Sequence, residues 1–246
     1  MISKNKLKDL AAYRLQKRCD EEAVFVVEGV KMAAEAIASG FTIRTVCATG
    51  EWRVENGEWR TENVEFYEVS PAELERLSNL RTPNQVWMLV ERKDFKDTKG
   101  PKDITLALDH LQDPGNLGTI MRTADWFGIR HIVCSPDTVS CYNPKVVQST
   151  MGAIFRTQVD YVDLPRWLAD CGMPVYGASL QGQPLTKHLT HNTESAVLLI
   201  GNESRGISPE AMAAVTHPIL IPNLGGTAES LNASVAAGIL MYYLKN

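Results

Sequence analysis

Three short stretches in the second half of the chain bring together amide, hydroxyl, guanidinium, carboxylate and glycine, the groups that bind and orient a polar ligand. They are Asp-Pro-Gly-Asn-Leu-Gly-Thr-Ile-Met-Arg-Thr-Ala-Asp (Asp113 to Asp125), Leu-Leu-Ile-Gly-Asn-Glu-Ser-Arg-Gly-Ile-Ser (Leu198 to Ser208) and Ile-Pro-Asn-Leu-Gly-Gly-Thr-Ala-Glu-Ser-Leu-Asn-Ala-Ser (Ile221 to Ser234). Each is polar or Gly-rich where an apolar strand hands over to a helix, the place where open α/β sheets put their ligand sites. Arg122 offers a planar fork of donors suited to phosphate or carboxylate. Alternatively, it is a surface helix residue paired with Asp125 at i+3. Asn116 stands at the same helix start, near its positive terminus, with Arg122 about two turns beyond. Glu203 accepts hydrogen bonds from a hydroxyl or an arginine. Gly201 leaves room for a flat ring, and Gly225-Gly226 lets backbone groups approach a ligand closely. Ser230 reads either as a ligand group or as the N-cap of the last helix.

Several chemistries fall away. Gly115-Asn116-Leu117-Gly118 stops short of a dinucleotide fingerprint, and no phosphate-loop Gly-Lys-Ser/Thr follows. Gly177-Ala178-Ser179-Leu180-Gln181 lacks the second glycine of a nucleophile elbow. Of the five histidines only His188 and His191 lie close in sequence, in a polar stretch that reads as a solvated loop, so no metal site is expected. The five cysteines are scattered without a CxxC pair, which predicts buried thiols in a reducing compartment. No apolar run is long enough to span a bilayer, and the basic start has no signal core behind it. A cytoplasmic protein without a membrane partner is the expectation.

The elements that must position the three stretches follow from hydrophobic period and punctuation. Ala23 to Val27, Thr42 to Cys47, Val64 to Val69 and Gln85 to Val90 read as strands of a first domain. A helix runs from Glu28-Gly29 to a C′ glycine at Gly40, and Ser70-Pro71-Ala72-Glu73 is a capping box opening another. Glu91 to Asp103 is charged and aperiodic, a linker, so the expected division is 1–92, linker 93–103, and 104–246. Beyond it Ile104 to Leu108, His131 to Cys134, Val175 to Ala178, Ala196 to Ile200 and Ile219 to Ile221 are continuous apolar runs, suited to a mostly parallel sheet buried on both faces. Helices over Leu117 to Phe127, Pro144 to Ile154, Pro165 to Asp170, Pro209 to Val215 and about Ser230 to Leu244 alternate with them, which makes an α/β domain. The last helix is expected to bury Leu231, Val235, Ile239 and Leu240. Ala48 to Asn63, with Trp52 and Trp59, reads as a polar insertion: a plain hairpin in preference to an RNA-stacking loop.

The net charge of −4 argues against a chain that holds nucleic acid by bulk charge alone. Its start is different: Lys4, Lys6, Lys8, Arg14, Lys17 and Arg18 face only Asp9 and Asp20 within the first 20 residues. That segment is either a phosphate-contacting helix or a solvated terminal one.

The three stretches, in this order and spacing, resemble the three motifs of the SpoU/TrmH family of RNA 2′-O-ribose methyltransferases, in the SPOUT superfamily. The resemblance covers residues 104–246. The start of the chain, Lys6 to Arg18 followed by Val24-Phe25-Val26-Val27-Glu28-Gly29, is similar to the L30e-like substrate-binding domain that precedes the catalytic domain in many members acting on 23S rRNA. The resemblance implies a small α/β domain followed by a trefoil-knotted, mostly parallel sheet with helices on both faces. It implies S-adenosylmethionine as cofactor, bound by Ser179, Leu180, Gly201, Glu203, Ile221, Ser230 and Leu231. It implies a catalytic set of Asn116, Arg122, Glu203, Ser230 and Asn232, and RNA contacts from Lys4, Lys6, Lys8, Arg14, Lys17 and Arg18. The expected substrate is RNA, with rRNA favoured over tRNA, and the expected assembly is a homodimer built on the C-terminal helix with Met241, Tyr242 and Tyr243.

Methyl transfer to a ribose needs its 2′-OH aligned and its proton removed. Arginine is a weak proton acceptor, with a pKa above about 12. Arg122 is therefore expected to position hydroxyl and phosphate first and to accept a proton second, its fork held by Asn116 and Glu203. An RNA-binding protein without catalysis is the alternative, opposed by the intact set of Arg122, Glu203, Ser230 and Asn232. An oxidoreductase is opposed by the missing dinucleotide fingerprint.

Overall fold

The computed structural model describes residues 2–55, 63–93, 104–185 and 195–245. The chain divides into two compact units: 1–94 with 142–155, and 95–141 with 156–246.

The first unit begins with helix α1 (Lys4–Ala11), started by Ser3, whose hydroxyl accepts from the Lys6 amide. A short turn leads to α2 (Gln16–Glu21), then β1 (Val24–Glu28), α3 (Val30–Ala38), β2 (Ile43–Ala48), α4 (Gly50–Glu55), β3 (Glu65–Glu68), α5 (Pro71–Leu77) and β4 (Val86–Glu91). The sheet order is β1-β4-β2-β3, antiparallel except for the β2-β3 pair. Gly40 takes the left-handed conformation after α3, and the Ser70/Glu73 capping box forms as expected. Leu7 and Leu10 of α1 join Val24, Val26, Leu77 and Trp87 in one core. Burying each of these large side chains contributes about 1.5–3 kcal/mol.

Two expectations change here. Gly50–Glu55 is helix, not hairpin, and Trp52 is buried, so it is no stacking platform; Trp59 lies outside the described residues. Residues 142–155, expected in the second domain, group with the first unit. They include helix α7 (Pro144–Thr150) and a following 3-10 turn, and the rings of Tyr142 and Phe155 lie 5.1 and 5.9 Å from that of Phe25.

The second unit comprises β5 (Ile104–Leu108), α6 (Pro114–Trp126), β6 (His131–Cys134), β7 (Gln158–Tyr161), α8 (Leu164–Asp170), β8 (Val175–Pro184), β9 (Ala196–Ile200), α9 (Pro209–Met212), β10 (His217–Leu220) and α10 (Ala233–Lys245). Its sheet runs β10-β8-β9-β5-β6-β7, every pair parallel. The central strands β5 and β9 are buried along their whole length. Leu164, Leu168 and Ala211 of α8 and α9 pack with Ala107, Val133, Val197 and Leu199 on one face, while α10 packs on α6 and meets β9. β7 escapes sequence reading because it is a half-exposed edge strand with a Gln and an Asp among four residues.

The sheet carries one irregularity. Tyr176 and Gly177 of β8 pair with His217 and Pro218 of β10, and the next pairs are Gln183 with Ile219 and Pro184 with Leu220. Residues 178–182 therefore leave the ladder as a bulge. Gly182 is required at its foot, because a Cβ there would lie 2.6 Å from the Ile219 backbone.

Candidate active site

The three sequence stretches meet at the C-terminal ends of β5, β9 and β10. Asp113 caps α6, accepting from the Asn116 amide at 2.8 Å, with Pro114 in the first turn. That cap places Asn116, 8% exposed, under the loop after β9. Asn116 Nδ2 donates to Glu203 Oε1 at 3.0 Å, and Asn232 Nδ2 donates to Asn116 Oδ1 at 3.0 Å. One residue from each stretch thus enters a single file of amide and carboxylate. Asn232 also starts α10: its Oδ1 accepts from the Ser234 amide and hydroxyl at 2.9 and 2.6 Å. The helix accordingly opens at Ala233, later than expected, with Asn232 and not Ser230 as its cap.

Gly201 is needed for a reason beyond the one expected. A Cβ there would lie 2.2 Å from the backbone of Gly206 and Ile207, so the missing side chain also serves loop closure. The loop is a tight hairpin in which Asn202 and Gly206 exchange backbone bonds of 2.9 and 3.0 Å. Asn202 Oδ1 accepts from the Ser204 and Arg205 amides, leaving Glu203 exposed at the tip. In the third stretch Asn223 Oδ1 accepts from the Gly225 and Gly226 amides at 2.9 and 2.8 Å, and Gly225 takes φ 105°, a conformation glycine adopts freely. Asn202 and Asn223 were legible only as members of their stretches; their Asx turns needed the backbone.

Two adjoining cavities lie against these loops. One, of about 660 Å³, is lined by Ser179, Leu180, Ile221, Asn223, Ser230 and Leu231 among others. The other, of about 410 Å³, is lined by Gly201, Glu203, Arg205 and again Ser179, Leu180 and Ser230. All seven residues expected to hold the cofactor line one cavity or both. Ala178, Ser179 and Leu180 of the bulge form their shared wall, with backbone groups outside the β8–β10 ladder. Volumes of this size suit a cofactor, for which about 300–1,000 Å³ is usual, and the walls combine aliphatic side chains with carboxylate, hydroxyl and amide groups. The residues present therefore fit a ligand with an aromatic base, a ribose and a charged tail.

Arg122 stands apart. It is exposed on α6, and among the described residues it has no hydrogen bond or ion pair, so Asn116 and Glu203 do not hold its fork. Six residues along a helix turn it well away from the Asn116 face. Nor is it paired with Asp125, whose carboxylate accepts from Arg156 at 2.9 Å. The guanidinium is left available to an outside partner.

The basic start is less free than its composition promised. Lys6 pairs with Glu65 at 2.8 Å, Arg18 with Glu22 at 2.6 Å, and Lys17 lies 4.0 Å from Glu21. The Glu65 partner raises the Lys6 pKa, and Lys6 in turn lowers that of Glu65. Lys4, Lys8 and Arg14 remain exposed without such pairs among the described residues. Of the apolar residues expected inside α10, Leu240 is buried, as are Ala233, Ala237 and Met241, whereas Leu231, Val235 and Ile239 are exposed. Among the described residues no group of His, Cys, Asp or Glu suited to a metal ion occurs; His188 and His191 lie outside them.

A parallel sheet with a three-loop cavity at its carboxyl ends is the arrangement by which α/β enzymes hold a ligand, and comparison with known proteins narrows the class. Residues 103–242 match the SpoU rRNA Methylase family and residues 4–87 the MRM3-like substrate binding domain. The chain belongs to the SpoU rRNA methylase family, RNA methyltransferases whose cofactor is S-adenosylmethionine. It is 30% identical over 244 residues to the 23S rRNA (guanosine(2553)-2′-O)-methyltransferase RlmP of Bacillus subtilis, covering 98% of this chain and 96% of that one. A putative RNA methyltransferase of the TrmH family from Porphyromonas gingivalis superposes with a TM-score of 0.88 at 36% identity, over 99% of this chain and 98% of that one. An AdoMet-bound rRNA methyltransferase from Sinorhizobium meliloti superposes with a TM-score of 0.86 at 27% identity, over 100% and 95% of the two chains.

Proposed function

We propose that the protein methylates a ribose 2′-OH of structured RNA, with 23S rRNA as the substrate. The observation that carries this reading is the Asn232–Asn116–Glu203 file, which ties the three motif loops together beside a cavity of cofactor size. S-adenosylmethionine, held by Ser179, Leu180, Gly201, Glu203, Ile221, Ser230 and Leu231, supplies the methyl group. The file holds Glu203 at the cavity mouth, where its second carboxylate oxygen is available to a hydroxyl. Ser230 lines both cavities and orients the incoming ribose. Arg122, exposed and without a bond or ion pair among the described residues, takes the phosphate beside that ribose first and accepts the hydroxyl proton second as the methyl group transfers.

Other parts of the reading have their own support. The exposed apolar residues Leu231, Val235, Ile239 and Tyr242 recur along one side of α10 and its approach, as the face of a homodimer does. Tyr242 belongs to that face, while Met241 is buried behind it and Tyr243 half-buried. A trefoil knot around the cavity belongs to the same reading, and the detour of β8 against β10 is the feature that supports it. The first unit, matched over 4–87 to a substrate-binding domain, grips RNA through Lys4, Lys8 and Arg14, with Lys6, Lys17 and Arg18 contributing less because carboxylates already face them. Exposed pairs of that kind contribute only about 0–1 kcal/mol, so RNA phosphates can displace them. The domain division 1–92 and 104–246 belongs to this reading, with 142–155 assisting the first part. So does a cytoplasmic setting, which the five scattered cysteines, four of them buried, favour.

Calorimetric titration with S-adenosylmethionine beside NAD(H), followed by methyl incorporation into 23S rRNA and tRNA transcripts, tests the proposal. Saturable binding of the methyl donor alone and labelling of the rRNA is the expected result. Labelling of tRNA only would replace the substrate, and binding of NAD(H) would overturn the chemistry.

A further inference from the structure

Asp109 is a carboxylate 1% exposed at the end of β5, and none of the proposed catalytic steps uses it. Its Oδ2 accepts from the Ser208 amide at 2.7 Å, across 99 residues of chain, and its Oδ1 accepts from His110 Nδ1 at 2.7 Å. His110 sits at φ 55°, a left-handed conformation unusual for a side chain of its kind. The carbonyl of His110 accepts from Asn202 Nδ2 at 2.7 Å, and its amide donates to Ser135 Oγ at 2.8 Å. The His110 Nε2 faces Asp137 at 3.3 Å.

These bonds converge on one target. Asn202 and Ser208 are the two ends of the loop that carries Glu203 at its tip. Asp109 holds the far end and His110 the near end, while the Gly201 contact and the Asn202–Gly206 bridge close the middle. A buried carboxylate persists only where its lone pairs are satisfied. Here both oxygens are engaged by groups that position this loop.

We infer that Asp109 and His110 are a positioning pair for methyl transfer, fixing the loop that presents Glu203 to the cofactor cavity and to Asn116. The inference rests on Glu203 belonging to the methyl-transfer site. Neither residue touches the reacting atoms; both act through the loop. Loss of the Asp109 carboxylate leaves the sheet intact and frees the Ser208 end of the loop, while loss of the His110 ring acts through Asp109, because the His110 carbonyl stays on Asn202.

The test uses the full chain with His110→Gly, Asp109→Asn, Glu203→Gln and the Asp109→Asn/Glu203→Gln double variant. His110→Gly suits the left-handed backbone, so it folds even where Asp109→Asn does not. Without cofactor or RNA, amide exchange at Gly206 and Ser208 should accelerate by about tenfold or more in Asp109→Asn, and at Ser208 by a smaller factor in His110→Gly, which loses the ring bond to Asp109 but keeps the carbonyl that Asn202 bonds, with Leu106 and Leu198 unchanged. On a 23S rRNA transcript, Asp109→Asn should slow turnover by about tenfold alone and by much less in the Glu203→Gln background, as expected of groups acting through one another. Unchanged exchange at Gly206 and Ser208, or turnover losses that simply multiply, overturns the inference. A wild-type protein that binds no S-adenosylmethionine overturns the methyltransferase reading instead, while the exchange experiment still decides whether the pair holds the loop.

Discussion

Asn116 donates to Glu203 at 3.0 Å, although the two residues lie 87 positions apart in the chain. Both ends of the Asn116 amide are occupied, one by Glu203 and the other by Asn232, so this side chain senses the state of all three motif loops at once. Asn116→Ala removes hydrogen bonds to the Asn232 amide and to a Glu203 oxygen, groups that water still reaches, a loss of about 0.5–1.5 kcal/mol for each bond. Thermal melting should fall accordingly and turnover should drop by about ten- to a hundredfold. Unchanged turnover would remove Asn116 from the site.

Arg122 makes no bond to this file, so its removal should separate binding from chemistry. Arg122→Ala is expected to retain S-adenosylmethionine affinity within about twofold while turnover falls by about a hundredfold or more, the cost usual for losing one charge-stabilising donor. Calorimetry paired with methyl incorporation reads both. An equal loss of both would assign Arg122 a structural role.

Glycines in the two loops should respond very differently to one added methyl group. At Gly201 the new Cβ meets backbone at 2.2 Å, which forces the hairpin open, whereas at Gly226 the nearest atom is Asn223 Oδ1 at 3.6 Å. Gly201→Ala should lose about 1–3 kcal/mol of stability together with cofactor binding, and Gly226→Ala should keep both. Melting curves with and without S-adenosylmethionine distinguish the two.

In the first unit, burial pushes the Glu28 carboxyl above its ordinary pKa, against the opposing hydrogen bonds from Ser78 and the Asn79 amide. A raised value means the folded chain holds this proton more tightly than the unfolded one. The resulting stability is fully present below the unfolded pKa of about 4.3 and is lost as pH rises through the folded value. Glu28→Gln has no such proton. The melting temperature of the wild type relative to Glu28→Gln should therefore fall as pH rises from about 4 toward neutrality, then level off. A difference independent of pH would show that Glu28 ionises as freely folded as unfolded.

Much of this architecture was legible because its signals are local. β5, β6 and β9 occupy the expected residues, since each is an unbroken apolar run with polar punctuation at both ends. Asn116, Glu203 and Asn232 were recognisable as members of the site from their motifs. Their mutual bonds were not, because a partner 87 or 116 residues away leaves no mark on local spacing. For the same reason the part Gly201 plays in loop closure was not legible: the backbone it must avoid arrives only when the loop folds back. The apolar side of α10 misled in another way, since Val235 and Ile239 have the period of a core yet face outward. Hydrophobic periodicity identifies a covered face without naming what covers it.

The detour of β8 has a consequence for the newly made protein. Among the described residues β10 pairs with β8 alone, and the larger cavity needs residues 178–180 on one side and residues 219–240 on the other. During synthesis the first of these walls exists long before the second. A nascent or C-terminally clipped chain therefore carries motif residues but no receptacle for the methyl donor.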